Sequence, residues 1–192
     1  MAEINEYYLQ PALEQLLDDF PFIVFNFHSD RGSEFINHLV ADILNRLLIK
    51  QTKSRSRHCN DNALVEGKNG SILRKNMGYF HINQDYAQAI NSYFKNYLNP
   101  YLNYHRPCLF PETKILANGQ TKHLYRQAMT PFDKLKEIIK TTKTSFLKPQ
   151  LSWQKLDKIA KEFSDNQFTE ILRKEERKLF NLIFSHSNKG SV

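Results

Sequence analysis

Two carboxylates stand where this chain could do chemistry. Asp30 lies in HSDRGSEF, just past the nearly continuous apolar run Phe20 to Phe27 (FPFIVFNF), and Glu66 lies in NDNALVEGKNG with 35 residues between the two. The run, rich in β-branched and aromatic residues, suits a strand buried on both faces of a sheet. The carboxyl end of such a strand is where open α/β sheets take their ligands, because the strand fixes the direction of the next residues and its end opens to solvent. The alternative is structural: aspartate is a favoured cap residue, and Asp30 would then only close a turn or start a helix.

Other polar residues gather around these two. His28 lies two residues before Asp30; it would polarise the site or touch nucleic acid, or simply be hydrogen-bonded at a strand end. Asn62 precedes Glu66 by four, which on a helix is the same face. Lys68, Arg74 and Lys75 follow Glu66, and Lys68 and Lys75, seven apart, share one side. Lys50, Lys53, Arg55 and Arg57 form a basic strip suited to phosphate contacts, with the steep salt dependence that counterion release brings. The competing reading for these cations is a solvated face.

The elements that must position them follow from periodicity. Tyr7 to Asp19 has Tyr8, Leu9, Leu13, Leu16 and Leu17 near helical spacing, with Pro11 in or near the first turn. After the strand, Ser33 caps a helix whose Phe35, Ile36, Leu39, Val40, Ile43, Leu44, Leu47 and Leu48 recur at three- and four-residue steps and should pack on the sheet. IKQT starts as a short strand before the basic loop. Asn60, Asp61 or Asn62 then caps a helix through ALVEGKNGSILRKNMG, where Gly67 and Gly70 make the intrinsic propensity poor. A further helix, about Gln84 to Leu98, presents Tyr86, Ile90, Phe94 and Tyr97 and ends before Pro100.

Past NYHRPCLFP the pattern changes. TKILANGQTKHLYR holds Asn118-Gly119 between short strand-like runs, a strong hairpin signal. Thr130-Pro131 reads as the cap and first residue of the helix TPFDKLKEIIK. Helices follow at about Ser152 to Phe163, with Trp153, Leu156, Ile159 and Ala160 inward, and about Asp165 to Phe184. Thr141 to Gln150 reads as a linker between body and tail.

Composition narrows the function classes. With 192 residues and 41% hydrophobic side chains, one domain plus an appendage is the expected size, and disorder throughout is excluded. Lys and Arg outnumber Asp and Glu by 27 to 20, a net charge of +7, which favours a polyanionic partner. Cys59 and Cys108, without CxxC spacing, support neither a disulfide framework nor a zinc cluster. No apolar stretch approaches ~18 residues and MAEINEYYLQ has no signal-peptide pattern, so no membrane is expected and the cytoplasm is the expected location.

Taken as a block, FPFIVFNF, HSDRGSEF, FINHLVADILNRLL, SRSRHCNDNALVEGKNGSILR and LNYHRPC resemble an insertion-sequence transposase of the DDE family, with the retroviral-integrase-like, ribonuclease H-like catalytic core. The likeness runs over about residues 7 to 110 and is fainter through MTPFDKL and SDNQF. It implies metal-dependent phosphoryl transfer on transposon-end DNA in DNA transposition and integration. Asp30 and Glu66 would be the second and third metal ligands and the catalytic pair, taking Mg²⁺ (or Mn²⁺), because hard oxygen donors suit that ion and two ions can stabilise entering and leaving oxygens. Lys50, Lys53, Arg55, Arg57, Asn62, Lys68 and Lys75 would contact DNA. Transposon ends and target would be the partners of a homo-oligomer, since two ends must be joined.

The family's first aspartate sits on an earlier strand, three strands and some 60 or more residues before the second, whereas 29 residues precede Asp30. Asp18 and Asp19, at the end of the first helix, are too far along the strand to replace it. The implied fold is α/β: a partial ribonuclease H-like fold, the carboxyl half of the core, over residues 1–110. A hairpin and connecting helix follow over 111–150, then a helical tail over 151–192. The alternative function is a catalytically inactive, amino-truncated remnant that retains only nucleic-acid binding. Exposed sheet edges would then make the fragment prone to aggregate.

Overall fold

The computed structural model describes residues 6–29, 38–55 and 69–187, and the chain divides into two units, Met1–Asp85 and Tyr86–Val192. It mixes helix and strand. In the first unit helix α1 (Glu6–Asp19) carries Pro11 inside it, early in the second turn. Strand β1 (Asn26–Ser29), helix α2 (His38–Arg46) and strand β2 (Lys50–Lys53) follow. β1 and β2 pair in parallel, Asn26 opposite Lys50 and Ser29 opposite Lys53. Parallel neighbours need a crossover, and α2 lies in it.

Val40 and Leu44 of α2, both 0% exposed, join Leu13, Leu17 and Ile49 in the core of this unit, with Val24, Phe27 and Ile43 against them. The helix thus packs on the strand pair as its spacing predicts. The apolar run before Asp30 departs from expectation. Its ladder starts at Asn26 rather than Phe20, and Ile23 and Phe25 are 42% and 56% exposed. Val24 and Phe27 pack against the core while Ile23, Phe25, Asn26 and His28 are exposed, so the run is not buried on both faces.

The end of α2 explains why Leu47 and Leu48 leave the apolar stripe. Leu48 takes φ 56; its N–H donates to the Asn45 carbonyl (3.0 Å) and the Ile49 N–H to the Leu44 carbonyl (2.8 Å). That bond pair is a Schellman motif, in which the residue after the helix cap turns left-handed. Ile49 and Leu44, both buried, supply its usual apolar contact, while Leu48 stays 89% exposed. A leucine in this backbone region costs about 1–2 kcal/mol that a glycine would not.

The glycine-bearing segment is helical from Asn69, a π turn over Asn69–Arg74 running into the short helix α3 (Lys75–Met77). Asn76 Nδ2 donates to the Ile72 carbonyl at 2.6 Å. Gly78 ends it with φ 77, where an added Cβ would lie 2.7 Å from the Phe80 ring, so only glycine fits.

A 3₁₀ turn (Gln84–Tyr86) leads into the second unit's helix α4 (Ala87–Tyr93), which continues through π turns at Phe94–Leu98 and Tyr101–His105. The chain therefore stays helical through Pro100, where the sequence predicts a stop. Proline in an α-helix clashes with the carbonyl four residues back and lacks a donor; wider turns on both sides open the ladder there.

An antiparallel ribbon follows. β3 (Cys108–Leu109) pairs with β6 (Ala128–Met129), and β4 (Glu112–Ile115) with β5 (Thr121–Leu124). At its tip the Gly119 N–H donates to the Leu116 carbonyl (2.9 Å) and the Leu116 N–H to the Gln120 carbonyl (2.8 Å). Gly119 has φ 77, the left-handed residue that closes a three-residue hairpin loop. The hairpin expected at Asn118-Gly119 is present.

Helices α5 (Pro131–Thr142), α6 (Trp153–Glu162) and α7 (Asp165–Ser187) complete the unit. Thr130 Oγ1 accepts from the Asp133 N–H (3.1 Å) and Ser152 Oγ from the Lys155 N–H (3.3 Å), the two N-caps that the sequence indicates. Phe132, Leu147 and Leu156 form a core with Tyr104, Trp153 and Ala160 around them. Leu147 belongs to the stretch read as a linker, which is therefore tied into the core. Ile159, expected inward, is 43% exposed.

Candidate nucleic-acid interface

The polar residues at β1 and β2 are joined across the strand pair. Thr52 Oγ1 donates to Asn26 Oδ1 (3.2 Å) and lies 2.9 Å from His28 Nδ1. A hydroxyl has one proton, so with that proton on Asn26 the imidazole donates from Nδ1. Nε2 then faces Ser54 Oγ at 3.3 Å, where it competes with the Ser29 carbonyl, 3.4 Å from the same oxygen, for the one hydroxyl proton. Ser54 is buried, and its N–H donates to the Ser29 carbonyl at 3.1 Å. His28 thus has a polar partner at each ring nitrogen, as in the reading of a histidine simply hydrogen-bonded at a strand end. Ser29 is buried with its Oγ unpartnered.

Because the strands are parallel, Ser29 and Lys53 end side by side. The chain runs on from them into Asp30 and into Ser54-Arg55. Lys50, Lys53 and Arg55 are exposed, as is Lys75 in α3. An odd separation along a strand sends side chains to opposite faces, so Lys50 and Lys53 do not form a strip on one face. Arg74 lies over the Tyr79 ring, 5.5 Å from its centroid. Asp30, Arg57, Asn62, Glu66 and Lys68 lie outside the described residues. Among the described residues no three His, Cys, Asp or Glu side chains cluster as metal ligands. Asp18 and Asp19 lie at the carboxyl end of α1, and Gln15 Nε2 donates to Asp19 Oδ1 at 2.9 Å.

The second unit carries two polar features that residue types alone did not single out. On α7, Glu170, Arg173, Lys174, Arg177, Lys178 and Asn181 line an open groove. Beside it burial raises the Glu176 pKa, against the opposing pull of Arg173 and Arg177. Burial, and then the charge of Glu176, pushes the Tyr93 hydroxyl up; that hydroxyl is buried without a partner. Lys178 is held protonated by its hydrogen bond to Glu175. Four of the six lining side chains are cations and one, Glu170, is an acid, while Glu175 pairs with Lys178.

The other feature is the ribbon, where Lys114 faces Lys122 and Thr113 faces His123. Residues 111–123 are exposed throughout. The signal for it was in the sequence, as lysines four residues either side of Asn118, the middle of the three-residue loop.

Buried His105 is anchored through Nδ1 to Asp165 Oδ1 at 3.1 Å, with its ring stacked on Phe168 at 4.3 Å. It joins the π turn to the start of α7. Cys108 is a free thiol. Among the described residues no helix is long and apolar enough to cross a membrane. No family model, curated protein or solved structure matches the chain.

Proposed function

We propose that the protein acts on DNA as the transposase resemblance implies, by metal-dependent phosphoryl transfer in the intact family member, with Asp30 and Glu66 as the carboxylate pair. What supports the reading is the β1–α2–β2 unit. Its parallel strands end together, and Asp30 follows Ser29 in the chain at the sheet end where open α/β folds take ligands. Mg²⁺ or Mn²⁺ held by the two carboxylates would stabilise charge on the phosphate oxygens when bound. His28 faces Thr52 through Nδ1 and Ser54 through Nε2. Lys50, Lys53, Arg55, Arg57, Lys68 and Lys75 would neutralise backbone phosphates, Asn62 would position the strand, and two ends would be joined by a homo-oligomer.

A second reading, nucleic-acid binding without catalysis, is favoured by the ligand count. The resemblance implies three carboxylates, and Asp18 and Asp19 finish α1 rather than stand at a strand end.

Titration with a short DNA duplex at several salt concentrations, followed by a nicking assay with Mg²⁺, separates the two. Six phosphate contacts give a log–log salt slope of about −5. Nicking that Asp30→Asn and Glu66→Gln each abolish, with binding unchanged, establishes the enzyme. Binding without nicking establishes the second reading. Absence of binding at low salt removes both.

A further inference from the structure

The ribbon between β3 and β6 raises a physical problem that its own side chains do not solve. Lys114 and Lys122 are directly opposite in the antiparallel register, and like charges in that position repel and weaken a strand pair. A two-stranded hairpin with no covered face is at best marginal in water, and residues 111–123 are exposed throughout. Besides the turn at Gly119 and the ladder itself, one cross-strand side-chain contact, Thr113 Oγ1 to His123 Nδ1 at 3.4 Å, links the two strands.

Charge along the arm is one-sided. Between Arg106 and Thr130 the single acid is Glu112, against Arg106, Lys114, Lys122 and Arg126. Lys114 and Lys122 sit near the tip while Arg106 and Arg126 lie towards the base, flanking the β3–β6 pair. Cations spread along the arm match a partner with repeated negative charge, not one small anion. A two-stranded ribbon also has the width that the DNA major groove admits.

We infer that the β3–β6 ribbon is a DNA-contacting arm, with Lys114 and Lys122 together taking backbone phosphate near its tip and Arg106 and Arg126 continuing the contact at its base. Phosphate between the two ammonium groups replaces their mutual repulsion by two charge-assisted contacts, so binding and ordering of the arm reinforce one another. The inference rests on the DNA reading above and adds a second surface, in the second unit, to the one at β1 and β2.

The test is fluorescence-anisotropy titration of the full chain with a short DNA duplex across a salt series. Wild type is compared with Lys114→Ala/Lys122→Ala and with Lys122→Glu. The single change puts a carboxylate opposite Lys114, which favours the hairpin, so a loss of binding there does not come from a lost ribbon. Expected are a salt slope shallower by about 2 for the double variant and affinity at least about tenfold weaker for Lys122→Glu. Binding unchanged in both variants overturns the arm while leaving the DNA reading intact. A wild-type chain that does not bind overturns both. Tighter lysine-dependent binding to anionic phospholipid vesicles than to duplex overturns the choice of DNA as the occupant.

Discussion

The strand pairs β1–β2 and β4–β5 have the same size, four residues per strand and four facing pairs, yet opposite supports. The parallel pair rests Phe27 against the core that Leu13, Leu17, Val40, Leu44 and Ile49 form and ties its strands through Asn26, Thr52, His28 and Ser54. The antiparallel pair has no covering layer; its one side-chain link is Thr113 Oγ1 to His123 Nδ1 at 3.4 Å, and it sets lysine against lysine. Hydrogen-bond ladders of equal length do not make strands equally secure. Tertiary burial holds one pair, whereas a turn holds the other and leaves it free to gain stability from a partner.

The largest test removes the burial. Leu44→Ala deletes a fully buried side chain from under the parallel pair and should cost roughly 2–5 kcal/mol, read by denaturant unfolding. Hydrogen exchange should quicken across β1 and β2 and stay as before in β4 and β5. Equal loss of protection in both pairs would show that they share one support.

The complementary break is at the turn. Gly119→Ala has open space for its Cβ, but φ 77 strains any L side chain there, at about 1–2 kcal/mol. Cross-strand NOEs between β4 and β5 should weaken, with β1–β2 unaffected. An unaltered ribbon would mean that something besides the turn fixes it.

Thr52→Val sharpens the contrast from the polar side. Losing the hydroxyl between His28 and Asn26 should cost about 1 kcal/mol, seen as a lowered midpoint with an unchanged m-value. A change within error would leave core burial as the sole support of the parallel pair. The smallest effect is a gain: Lys122→Glu should stabilise the ribbon by about 0.2–1 kcal/mol, and slower exchange of the Leu116 amide, which donates to the Gln120 carbonyl, measures it. Faster exchange would refute the idea that lysine repulsion weakens the free arm.

Much of the local structure was legible from residue types. Thr130-Pro131 and Ser152 start helices because a hydroxyl and a preset φ satisfy a helix end wherever it lies. Asn118-Gly119 closes a hairpin because glycine tolerates positive φ, and the stripe through Val40 and Leu44 buries because a 3.6-residue period makes one face apolar. The pair of strands around α2 was legible in kind but not in extent. FPFIVFNF is apolar enough for two buried faces, and nothing local says that a core does not cover both.

Which neighbours those local elements meet was settled at the tertiary level. A helical path through Pro100 depends on π turns on both sides of it, and the left-handed Leu48 is held by the contact of Ile49 with Leu44. The bonds from His28 to Thr52 and Ser54 require a parallel register across 24 and 26 residues of chain. Caps, turns and periods are short-range and act through a residue's own backbone, so they can be read from the amino-acid order. Burial and register are set by groups distant in the chain, and only the folded arrangement brings those together.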